Sequence, residues 1–224
     1  MTFTFLLTAI VALSGVVMAV AAIAYRVLPA RYRIHDETER KITGLPLVKQ
    51  AAYNSLVSVS TIVGVALGFK SRLFYEATPP TWRFAFETLA VLLLYDLLYY
   101  WMHRYPFHRW KFMRRVHSLH HIVRSPTALD SLYVHPLETF CGVALLMICT
   151  FIVGPVHIYS FSAVFVVYSV LNIVIHAGVR IPFFPFRFIG MMAKKHDDHH
   201  ASMRAGNYAS ITPIPDWIFR TLEQ

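Results

Sequence analysis

Residues 2–25 read TFTFLLTAIVALSGVVMAVAAIAY, an unbroken run without one charged side chain. A helix needs roughly 20 apolar residues to cross the hydrocarbon core of a bilayer, so this stretch is long enough to span one. Ala19-Val20-Ala21 has the small-residue pattern of a signal-peptide cleavage site, but no positively charged segment precedes it and the run is long. It reads as a membrane helix, not a removable leader. Carried outward, the same reading finds a weaker, Ser/Thr-containing segment at about 51–69 and a third at 84–102, FAFETLAVLLLYDLLYYWM. Two more, at about 139–156 and 160–178, form a hairpin turning at Gly154-Pro155. The expected fold class is all-α: a multi-pass membrane helical bundle of about four to five spans.

The composition agrees. Hydrophobic residues make up 56% of the 224 positions and charged ones only 15%, against roughly 25% charged in an ordinary soluble chain. Disorder, collagen and low-complexity classes are excluded on the same ground. Cys141 and Cys149, the only cysteines, fall on one apolar helix too far apart to bond, so neither a disulfide framework nor a cysteine zinc site is expected.

A net charge of +9 and a pI near 9.7 resemble a nucleic-acid signal, but five spans explain them better. Loops 26–50 and 103–138 and the tail 179–224 then share one side, and of the 21 Lys and Arg only Lys70, Arg72 and Arg83 fall opposite. By the positive-inside rule the basic side is cytoplasmic. No nucleic-acid partner is expected.

Ten of the twelve histidines, His103, His108, His117, His120, His121, His135, His176, His196, His199 and His200, all fall on that basic side, just past the span ends. His157 lies at the outer end of the fourth span, where a structural role is expected, and His35 reads as a solvated loop residue. Two triples share the pattern His-x-x-His-His: His117-Ser118-Leu119-His120-His121 and His196-Asp197-Asp198-His199-His200. Positions i, i+3 and i+4 lie on one helix face, so each triple can aim three imidazoles at one point. So many convergent neutral nitrogens exceed the four a structural zinc needs and favour a pair of iron ions. No HExxH is present, which removes the zinc-protease reading. His103 and His108 would splay apart by about 140° on an unbroken α-helix, but Pro106 between them breaks the helix and can bring both rings inward. Asp96, seven residues before His103, is placed either to accept the second ring N–H of a ligand histidine or to pair with a nearby arginine. Tyr95, Tyr99, Tyr100 and Trp101 read first as an interfacial aromatic belt and second as the lining of a substrate groove.

Together these motifs resemble the fatty acid hydroxylase and sterol desaturase superfamily of membrane di-iron oxidases. The likeness runs from about Asp96 to Thr221. It comprises DLLYYWMHR at 96–104, the first triple, SPTALDSLYVHPLE at 125–138, His176-Ala177-Gly178 with Ile181-Pro182, the second triple, and the ending from Asn207-Tyr208 to Asp216-Trp217-Ile218-Phe219-Arg220-Thr221. It implies a catalytic domain over 81–224, preceded at 1–80 by membrane helices and a basic cytoplasmic loop, with a histidine-rich helical cap on the cytoplasmic face. It also implies two iron ions (Fe2+/Fe3+) held by the histidines, O2 as co-substrate, and hydroxylation or desaturation of a C–H of a sterol-like or fatty-acyl lipid. The five-residue step from His103 to His108 is similar to that of fatty acid 2-hydroxylases and one longer than in sterol enzymes. Asn172 stands where several members have another histidine, and Ala209 and Arg220 stand where glycines are usual. His135-Pro136 is followed by Leu137-Glu138, not by the Gly-rich turn of a fused haem domain. Electrons are therefore expected from a separate reductase, ferredoxin or b-type cytochrome. The alternative, a metal-binding or metal-transporting membrane protein without oxidase activity, would place its ligands near the bilayer midplane and not past the span ends.

Overall fold

The computed structural model describes residues 3–35 and 44–223; Arg40 and Lys41, counted above in the basic loop, lie outside them. Among the described residues, five helices are long and apolar enough to cross a membrane. They are α1 (Phe3–Val27), α2 (Leu45–Gly68), α4 (Thr81–Met102), α6 (Pro136–Val153) and α7 (Ile158–Ile175). Each overlaps the segment its hydropathy predicts, α6 and α7 ending three residues before the expected 156 and 178. Shorter helices complete the chain: α3 (Lys70–Leu73), α5 (Lys111–His117), α8 (Arg187–His200) and α9 (Ile214–Ile218).

The core lies where α4, α6 and α7 meet, around Val91, Tyr95, Leu146, Met147 and Val164. α1 packs on α7 and α2 on α6, and both turn most of their apolar surface outward, only 6% of the α1 window and 17% of the α2 window being buried. In water such faces would collapse together; in lipid they are the solvent boundary. The turn between α6 and α7 uses Gly154 at φ 102°, a conformation only glycine takes readily. Beyond it β2 (Val156–His157) pairs in parallel with β1 (Phe74–Tyr75). At this end the buried Glu87 carboxylate accepts from Tyr75 Oη (2.7 Å), Arg83 Nε (2.9 Å), His157 N (3.0 Å) and Ser160 Oγ (2.6 Å), tying α4 to α7. His157 caps α7, its Nδ1 accepting from Tyr159 N, in the structural position expected of it.

At the other end α4 does not simply stop. His103–Phe107 form a π-helical turn containing Pro106, whose i→i+5 hydrogen bonding places residues five apart on one side. The chain then forms α5, a 3-10 turn at His120–Ile122, and the capped turn Ala128–Leu132 before α6. His35 is not solvated as expected: it is half-buried, with its Nε2 3.2 Å from Pro126 O and 3.5 Å from Asp197.

Candidate metal centre

Nine of the ten singled-out histidines converge at this end of the bundle in two groups. His103, His108, His117, His121 and His199 form one; His120, His176, His196 and His200 form the other, and all nine are buried. The triples do not each aim at one point, as their spacing suggested. Each is shared: His117 and His121 enter the first group and His120 the second, whereas His196 and His200 enter the second and His199 the first. In α8 the reason is angular: positions i and i+4 differ by only about 40° around a helix, but the i+3 residue diverges from its neighbour by about 100°, so His199 crosses to the adjoining group. In the first triple α5 ends at His117 and a 3-10 turn carries His120 and His121. His135 is apart from both groups: it is the N-cap of α6, its Nδ1 accepting from Leu137 N at 3.1 Å.

The protonation of these rings follows from their partners. His103 Nδ1–H donates to Tyr208 O (2.7 Å), His108 to Met203 O (3.0 Å), His199 to Gly206 O (2.6 Å), His200 to Val123 O (2.9 Å) and His176 to Asn172 O (2.6 Å). His117 Nδ1–H donates to the Glu138 carboxylate at 2.8 Å. A carbonyl or carboxylate only accepts, so the proton of each ring sits on Nδ1 and its Nε2 carries a bare lone pair. Within this set His103 Nε2 faces His117 Nε2 at 3.0 Å and His108 Nε2 faces His199 Nε2 at 3.2 Å. His121 Nε2, whose ring has no Nδ1 partner among the described residues, lies 3.1 Å from both His117 and His199. In the second group His176 lies 2.8 Å from His196 and 3.2 Å from His120, and His196 3.1 Å from His200. The facing lone pairs of His103 and His117, and of His108 and His199, repel at that range unless a cation lies between them. Two nitrogens about 2.1 Å from one ion and at right angles are about 3 Å apart, so the donor set fits a metal of more than four ligands. Burial pushes the imidazolium forms down, to a pKa of about 4 for His108 and His176 and about 3 for His121, so these rings are neutral at physiological pH, the form that metal binding requires.

Much of the support comes from residues 203–216. The carbonyls of Met203, Gly206 and Tyr208 orient three of the five histidines in the first group. Asp96 touches no histidine and pairs with no arginine; it accepts backbone N–H from Ser210 (3.1 Å), Ile211 (2.8 Å) and Thr212 (2.9 Å), and the Thr212 hydroxyl (2.7 Å). Asp216, wholly buried, accepts from Tyr208 N and Ala209 N and pairs with buried Lys195 at 2.8 Å. Sequence reasoning missed Glu138, Lys195 and Asp216 as supports. The signals were there, Glu138 standing three residues after His135 and Lys195 just before the second triple.

A cavity of about 380 Å³ lies among α1, α2, α4, α6 and α7. Its walls are apolar, with Ile62, Val143, Phe165 and Ile211 among them, and His120, His176 and His196 line its inner end, together with Tyr95, Tyr99 and Asn172. Tyr95 and Tyr100 are fully buried, so the belt reading fails for them and the lining reading holds for Tyr95 and Tyr99. Val11, Gly15 and Ser55 line the cavity and are exposed on the outer faces of α1 and α2, so it opens sideways between those helices.

The fold and site define a class: a multi-pass membrane protein with a polyhistidine metal centre at one end of its bundle, reached through an apolar cavity. Within that class, the family model for fatty acid hydroxylases matches residues 88–221, and the chain belongs to the fatty acid hydroxylase family. It is similar to very-long-chain aldehyde decarbonylase GL1-11 of Oryza sativa subsp. indica, 30% identical over 204 residues, 86% of this chain and 74% of the relative. Methylsterol monooxygenase 2-2 of Arabidopsis thaliana is 33% identical over 155 residues, 63% of this chain and 54% of that protein. Methylsterol monooxygenase 1 of Rattus norvegicus is 31% identical over 152 residues, 63% and 48% of the two chains. No solved structure matches.

Proposed function

We propose that this protein is an O2-dependent di-iron lipid oxidase that hydroxylates or desaturates a C–H bond of a sterol-like or fatty-acyl substrate drawn from the bilayer. The observation that carries the reading is the pairing of two histidine groups, Nε2 lone pairs turned inward, with an apolar cavity that reaches one of them and opens laterally. The relatives' names, an aldehyde decarbonylase and methylsterol monooxygenases, support a lipid substrate and oxidative chemistry. The basic loops support a cytoplasmic active site, and residues 1–80 and 81–224 are read as membrane anchor and catalytic domain. A separate reductase, ferredoxin or b-type cytochrome is the proposed source of electrons.

Two iron ions bound by the nine histidines would supply the activation of O2 and the removal of hydrogen from an unactivated carbon. The protein's part is geometric and electrostatic. Carbonyls and Glu138 hold six of the nine rings in one tautomer, the apolar walls bind the hydrocarbon body, and the dry cavity keeps water from the reacting carbon. His120, His176 and His196 line the cavity and belong to the group with four donors, so an ion held by that group would be the one nearest substrate. Asn172, beside them, adds no imidazole and leaves that group with fewer protein ligands. Lipid profiling of a host expressing the protein or its His120→Ala variant tests the reading. A lipid species that differs only with the unaltered protein, together with about two irons per purified chain, is expected; identical lipid profiles would overturn it.

A further inference from the structure

The two histidine groups face different surroundings. None of the five histidines of the first group lines the cavity, so that group needs no contact with substrate. One route from it to the exterior runs through Tyr208. The ring of this half-buried residue lies 5.1 Å from that of His108 and 5.7 Å from those of His103 and His199, centroid to centroid. Its own carbonyl accepts the His103 Nδ1–H, so a short covalent and hydrogen-bonded path joins the ring to a ligand.

The charge around this ring is cationic. The Arg104 and Arg109 guanidinium groups lie 5.5 Å and 5.0 Å from the centroid of the Tyr105 ring, and Arg104 also donates to Tyr100 Oη at 2.5 Å. The Tyr100 ring lies 6.0 Å from that of Tyr208; burial raises the pKa of the Tyr208 hydroxyl, and the two guanidinium charges oppose that shift. Exposed Arg204 lies four residues before Tyr208 on the same loop. Charges so placed speed encounter with an acidic partner and repel a basic one.

We propose that the surface over Tyr208, flanked by Arg104 and Arg109, is the docking site of an acidic one-electron carrier, and that Tyr208 conducts its electron to the five-histidine group. The proposal rests on the oxidase reading above. At each encounter the reduced carrier would give up one electron and one ferric ion held by the histidines would become ferrous; no bond forms and no proton is required.

The test uses the full chain in zwitterionic nanodiscs, which supply no anionic headgroups, and the soluble acidic haem domain of a b-type cytochrome as probe. Binding of the oxidised probe is measured first, independently of turnover. The variant Arg104→Gln/Arg109→Glu is expected to bind at least about tenfold more weakly at low ionic strength, the gap closing as salt screens the charges. A probe with amidated carboxylates is expected to bind no better to the unaltered protein than native probe binds to that variant. In stopped flow with iron-loaded protein, Tyr208→Leu is expected to slow haem reoxidation at least tenfold and leave probe binding within twofold. Equal binding by the arginine variant, or by the amidated probe, would overturn the docking site; unchanged reoxidation in Tyr208→Leu would overturn the conduit. Dithionite separates the two readings. If it reduces the bound iron but the probe does not, this proposal fails alone; if nothing redox-active is bound, the oxidase reading fails.

Discussion

Arg220 stands at φ 54°, a left-handed conformation that costs an ordinary L-residue about 1–2 kcal/mol. The resemblance had marked this position as one where glycine is usual, and the backbone supplies the reason. Arg220→Gly is expected to raise stability by about 0.5–1 kcal/mol after glycine's own entropic cost, read as a higher midpoint of thermal unfolding in detergent. Glu138 works on the metal centre through one ring. Removing it leaves the buried His117 Nδ1–H without its acceptor, so Glu138→Ala is expected to lower iron affinity about 10–100-fold, measured by competition with a chelator.

The element that most needed the tertiary structure is the segment 203–216. Its sequence has no periodicity and reads as a loop, yet its carbonyls aim three histidines and two buried carboxylates hold it in place. Asp96 was legible as important because it lies on the face of His103, but the partner expected of it was wrong. Its four acceptor contacts go to a strand of chain more than a hundred residues away, which no local spacing reveals. Asp216→Ala leaves Lys195 buried without its counter-charge, a change that costs about 3–5 kcal/mol in comparable buried pairs. The expected outcome is a protein that loses iron and unfolds at lower temperature, with Asp216→Asn milder. The triples show the same limit in another form: spacing found all six histidines, but which ring joins which group depends on how α5 ends at His117 and where α8 lies.

At the scale of the molecule, nine neutral imidazoles are packed where imidazolium is disfavoured. For His108, His121 and His176 the folded pKa lies at about 4, 3 and 4, below the ordinary 6.5, first because of burial. The unfolded chain therefore binds more protons between pH 6.5 and about 3, so acid favours unfolding over that window. Metal-free protein is expected to lose thermal stability progressively as pH falls below 6.5, and bound iron to raise its stability at neutral pH. The lateral opening gives a second test. A Cβ at Gly15 meets nothing within 4 Å, so Gly15→Trp is expected to obstruct the mouth, cutting lipid turnover at least about tenfold while iron content is unchanged. What the sequence by itself determined was whatever depends on local chemistry: five apolar spans, the basic side of the membrane, and the histidines that act together. The tertiary structure alone decided the division of the histidines into five and four, the exclusion of His135 from both groups, the role of Asp96, and the cavity that reaches only one group. These depend on distances between residues remote along the chain, set by how α4, α6, α7 and α8 pack and not by any spacing within them.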